Sequence, residues 1–133
     1  MTPELYWLTL TALITALFWL PYILNRIIVR GLVPAITSTT AETTGDQSEW
    51  AQRAIRAHLN AVENLAVMAP VVLIAHVLNI STPATQTAVM VFFFARLAHY
   101  FVYTAGIPVA RTLAFAAGWM ATMTVILSIL GWI

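Results

Sequence analysis

From Leu5 to Asn25, between Glu4 and Arg26, the chain carries no formal charge. A bilayer core about 30 Å thick is crossed by roughly 20 apolar residues at about 1.5 Å rise per residue, so this stretch has the length of a membrane-spanning helix. With no water to bind in lipid, its backbone must close its hydrogen bonds internally. Three later segments share its character, and composition agrees. Charged residues make up 8% of the 133 positions and mean hydropathy is +0.86, against a charged share of about 25% in soluble domains. That excludes a soluble globular domain, a disordered chain and a nucleic-acid-binding module, which needs a basic face. The expectation is an all-α integral membrane protein, one domain over 1–133 with four transmembrane helices.

The first helix is expected at about 4–29, with Pro3 at its start and Pro21 bending its interior. A polar loop follows over 30–48, with Gly31, Pro34, Thr37-Ser38-Thr39-Thr40 and Thr43-Thr44-Gly45-Asp46. Asp46 or Ser48 is placed to cap a second helix over 49–78. That helix opens polar, turns apolar, and holds Pro70 near the change. Asn79-Ile80-Ser81-Thr82-Pro83 reads as a turn before a third helix over 84–104, and Gly106-Ile107-Pro108 separates it from a fourth over 109–131. Tyr6, Trp7, Trp19, Trp50 and Trp132 read as interfacial anchors, Phe92-Phe93-Phe94 as packing or lipid-facing residues, and His76 as hydrogen-bonded packing.

All six basic residues are arginine, and cysteine is absent, which excludes disulfides, thiolate metal sites and cysteine nucleophiles; no metal site is expected. Met1-Thr2-Pro3-Glu4 lacks the basic region of a signal peptide and reads as the start of the first span. Arg26, Arg30, Arg53 and Arg56 flank the first loop, and Arg96 and Arg111 the third. The positive-inside rule makes both loops cytoplasmic and puts both termini outside; in a bacterium this is the inner membrane.

Arg56, Asn60 and Glu63 share one face of the second helix, Arg96, His99 or Tyr100 and Tyr103 recur on the third, and Arg111 and Thr112 open the fourth. Antiparallel packing should bring these groups to one cytoplasmic-side depth. Glu63 can neutralise one arginine; the remaining cations need water, lipid phosphate or an anionic ligand. Against this stands the plainer reading. Arg26, Arg30 and Arg53 suit snorkelling to headgroups, and an Arg96–Glu63 interhelical ion pair weighs equally with ligand contact. Composition and spacing reach only a four-helix membrane protein with a polar pocket.

The stretch Arg56-Ala57-His58-Leu59-Asn60-Ala61-Val62-Glu63, R-x-x-x-N-x-x-E, resembles the signature of the MAPEG family, the membrane-associated proteins in eicosanoid and glutathione metabolism. Ala95-Arg96-Leu97-Ala98-His99-Tyr100, continuing through Tyr103 and Gly106-Ile107-Pro108 to Arg111-Thr112-Leu113-Ala114-Phe115, is similar to that family's segment between helices three and four. The resemblance covers roughly 50–120 and implies a bacterial-type member with a left-handed bundle. It further implies a homotrimer, and glutathione as co-substrate or ligand between subunits near the cytoplasmic face. By position, Arg30, Arg56, Asn60, Glu63, His99, Tyr103 and Arg111 would bind glutathione, Arg111 and Thr112 would be catalytic, and Arg96 would pair with Glu63. Leu59 stands where several eukaryotic members have arginine, and Phe115 where some active members have tyrosine. The implied chemistry is conjugation of glutathione to lipophilic electrophiles or reduction of lipid peroxides, with a small second substrate arriving from the membrane. The alternative is a non-catalytic scaffold or lipid-binding protein whose arginines hold phospholipid headgroups.

Overall fold

The computed structural model describes residues 1–37 and 46–133, and among these the regular elements are all helices, joined by turns and short irregular stretches. Six helices follow in order: α1 Pro3–Leu17, α2 Leu20–Arg30, α3 Leu32–Thr37, α4 Glu49–Val77, α5 Pro83–Thr104 and α6 Pro108–Ile129. Four spans are long and apolar enough to cross a membrane: Pro3–Arg30, Glu49–Val77, Pro83–Thr104 and Pro108–Ile129. Most of the threonine-rich part of the polar loop lies outside the described residues. Where that loop was expected to begin, Leu32–Thr37 instead forms a short helix.

The first span is two helices rather than one. Pro21 has no backbone N–H, and its ring crowds the carbonyl one turn earlier, so α1 ends at Leu17 and α2 restarts at Leu20. The freed backbone finds a partner across the bundle: Tyr100 Oη donates to Phe18 O at 2.9 Å, and the two rings stack with centroids 3.9 Å apart. By contrast α4 runs through Pro70 without a break.

Membrane helices gain little from burying apolar surface against one another, so they associate where small side chains let backbones approach. Ala51, Ala54, Ala57 and Ala61 form such a stripe on α4, and all are buried. A second core joins Met68, Val72 and Ala75 of α4, Val89 and Phe92 of α5, and Ala121 and Val125 of α6. Buried hydroxyls are satisfied locally: Thr11 and Thr15 donate to the carbonyls of Trp7 and Thr11, each at 2.8 Å.

Both ends of the bundle are fastened by polar contacts. Glu4 is buried and accepts from Thr85 Oγ1 at 2.7 Å and Ser81 Oγ at 2.9 Å, tying the start of α1 to the α4–α5 turn and the capping box of α5. At the opposite end Asn25 Nδ2 donates to Ser48 Oγ at 2.9 Å, so Ser48, the residue before α4, serves α2 rather than capping its own helix. His76 is exposed at the end of α4 rather than packed.

Candidate functional site

The expected polar residues lie at two depths, not one. The shallower group surrounds the α5–α6 turn. Gly106 takes φ +78°, and a side chain there would meet the Arg53 guanidinium at 3.3 Å. Arg53 Nε donates to Thr104 O at 2.9 Å, so an arginine expected only to snorkel instead clasps the turn. The turn starts α6 so that Arg111 lies over the Tyr103 ring, its guanidinium carbon 4.8 Å from the centroid. Arg53, Tyr103, Gly106, Ile107, Pro108 and Arg111 line a cavity of about 220 Å³.

About two turns deeper, Arg96 is 1% exposed inside the bundle. Its Nη1 donates to Asn60 Oδ1 at 2.9 Å and its Nη2 to Ala114 O at 3.3 Å, while Nε has no partner. The guanidinium carbon is 5.7 and 5.6 Å from the ring centroids of Phe92 and Phe115. Three helices thus converge on one cation. The expected Arg96–Glu63 ion pair is not formed within the chain: among the described residues the ion pairs are Arg30–Asp46 and Arg53–Glu49, and Glu63 is exposed. The geometric reason is that Asn60, one turn before Glu63, turns inward and takes the guanidinium first.

Arg56 and Glu63 lie on the outer face of α4, and neither has a partner among the described residues. His99 is buried one turn beyond Arg96, its ring 5.5 Å from Tyr103 and 6.4 Å from Phe115. Thr112 is exposed and spends its hydroxyl on Pro108 O at 3.1 Å, away from the Arg111–Tyr103 contact. Arg30 is held by Asp46, with Nε to Oδ2 at 2.8 Å. That hydrogen bond, more than the accompanying charge attraction, pulls the Asp46 carboxyl below its ordinary value. Within one chain, therefore, Asn60 and Arg96 come together, as do His99, Tyr103 and Arg111, while Arg30 and Thr112 are engaged elsewhere.

Two contributors escaped the sequence reading. One is Arg53 in its clasping role. The other is Gly118, where a Cβ would stand 2.7 Å from Arg96 Nη2. An isolated glycine inside a helical segment is a signal of close approach and marks this one. Among the described residues no three histidine, aspartate or glutamate side chains gather as a metal site would require.

Neither a curated protein nor a solved structure matches the chain. The model of the MAPEG family matches residues 5–131, nearly its whole length. With four membrane spans in place and Arg56, Asn60, Arg96, His99, Tyr103 and Arg111 on the helices where the resemblance set them, the chain belongs to the MAPEG family and is an integral membrane protein of the glutathione and eicosanoid metabolism kind.

Proposed function

We propose that this protein binds glutathione between subunits of a homotrimer, near the cytoplasmic face, and conjugates it to lipophilic electrophiles. The observation that carries the reading is an excess of cation without a carboxylate partner. Arg56 and Arg111 have no hydrogen-bonding partner among the described residues, and Glu63, exposed on α4 with Arg56, is unpaired as well. Glutathione has two carboxylates and one amine, which is the complement of this set. Arginine meets carboxylates through charge-assisted, often bidentate hydrogen bonds, and Glu63 supplies the counter-charge for the amine.

Arg111 would act on the sulfur. A guanidinium beside a thiol favours the thiolate, which is the nucleophile. The thiolate forms the carbon–sulfur bond as the leaving group departs with its electron pair, and the thiol proton passes to solvent. Reduction of a lipid hydroperoxide is the companion chemistry: sulfur takes the terminal oxygen, the lipid alcohol leaves, and a second glutathione yields the disulfide and water. Thr112, turned toward its own helix, has no part in this reading.

The test is glutathione binding to the purified, detergent-solubilised protein, with thiolate absorbance and turnover of an electrophilic substrate followed in the parent and in Arg111→Ala. Saturable binding and a thiolate signal lost in the variant are expected. No saturable binding in the parent would sink the proposal, and an unchanged thiolate signal would remove Arg111 from it. The second reading, a non-catalytic lipid-binding scaffold, is favoured by the cavity between Arg53 and Arg111 at the bundle end, where headgroup phosphates would lie. It predicts co-purifying phospholipid displaced by inorganic phosphate, with no glutathione binding.

A further inference from the structure

A cation buried near the middle of a membrane bundle normally finds a carboxylate. Arg96 does not, and what it holds instead is the amide of Asn60. Asn60 Oδ1 receives two donors, Arg96 Nη1 at 2.9 Å and Asn64 Nδ2 at 3.3 Å. An amide whose oxygen faces two donors has one acceptable orientation, because the flipped form would press its own NH2 against a guanidinium and another NH2. The NH2 of Asn60 therefore points away from Arg96. It has no partner among the described residues, and it sits on a half-buried position one turn from exposed Arg56 and Glu63.

Arg96 is itself fixed from the other side. Its Nη2 reaches Ala114 O only because Gly118 has no side chain, and the rings of Phe92 and Phe115 pack near the guanidinium, their centroids 5.7 and 5.6 Å from its carbon. The chain of constraint runs from α6 through α5 to α4 and ends at one unpaired donor.

We infer that Arg96 is a positioning residue that locks Asn60 as a hydrogen-bond donor, so that the ligand must present an acceptor oxygen, a carboxylate or carbonyl, at that point. Specificity follows from the lock: a ligand group carrying only donors there would leave the amide unpaired and be rejected. That the ligand is glutathione rests on the function proposed above; the lock does not.

Asn60→Asp separates the two ideas. Aspartate keeps an acceptor for Arg96, and gains a charge for it, but has no donor to offer. In the full-length detergent-solubilised protein the variant should unfold at a temperature no lower than the parent. Its glutathione binding should be weaker by about tenfold or more, the scale of a hydrogen bond to a charged group. In an Arg96→Met background the same substitution should lower the unfolding temperature, because a carboxylate is then buried without its cation. Sign reversal between the two backgrounds, read without any ligand, supports the lock even if the parent binds no glutathione, a result that would remove the proposed function alone. Equal stability changes in both backgrounds would overturn the lock. Glutathione bound as tightly by Asn60→Asp as by the parent would overturn the donor role.

Discussion

Gly106 and Gly118 are required for different reasons, and the difference is measurable. Gly106 sits at φ +78°, where an L side chain is strained by about 1–2 kcal/mol, and a Cβ would also push on Arg53 at 3.3 Å. Gly106→Ala should therefore lower stability by about that amount and loosen the turn that orients Arg111, seen as an earlier thermal transition. Gly118 has ordinary helical geometry, but a Cβ there would stand 2.7 Å from Arg96 Nη2. Gly118→Ala is an overpacking change, expected to cost about 1–3 kcal/mol. Asp46 gives a pH signature. Its pKa is lowered in the folded protein by the hydrogen bond from Arg30, so its contribution is present above the ordinary carboxylate value of 3.8 and is lost as pH falls through the lower, folded value. Unfolding temperature followed below about pH 4 should show this loss in the parent and not in Asp46→Asn.

Helix by helix, the first span shows how far local chemistry carries. Pro21 announces an interruption in the sequence, and the break between Leu17 and Leu20 follows from a ring that crowds the preceding turn. What holds the broken ends is Tyr100, on another helix and 82 positions away, and no local pattern identifies it. Tyr100→Phe keeps the stacked ring and removes the donor, leaving Phe18 O without its partner in an apolar interior. The expected loss is about 1–3 kcal/mol, and unchanged unfolding would show that the carbonyl is satisfied otherwise. The site follows the same division. Which face of α4 is polar was legible from the spacing of Arg56, Asn60 and Glu63, because helical periodicity is local. Which member of that face turns inward was not, because Asn60 is chosen by Arg96 and Gly118 from two other helices. Charge pairing suggested Glu63 for Arg96, and packing gave the place to a neutral amide.

For the molecule as a whole, the unresolved demand is Glu63. It stands at the centre of the 29-residue α4, roughly 21 Å from either end, and it is exposed on the surface of the single chain. A charge facing lipid on a membrane-spanning helix costs up to about 2.5–3.5 kcal/mol even on the mildest insertion scales. Arg56 cannot relieve it, since seven residues along a helix separate the two by about 10 Å. A lone chain in lipid is therefore incomplete at this face, and a second copy laid against α4 would remove both charges from lipid contact. The homotrimer proposed above supplies that cover, and the exposed Leu59, Val62 and Val67 around the two charges give it an apolar contact. Native mass spectrometry of the protein released from mild detergent should find three copies. Replacing both charges, Arg56→Leu with Glu63→Leu, removes the penalty of exposure and should let single chains persist in detergent while abolishing glutathione binding. A parent protein that is monomeric at every detergent concentration would overturn the trimer. A double variant that still binds glutathione would show that this face serves assembly alone.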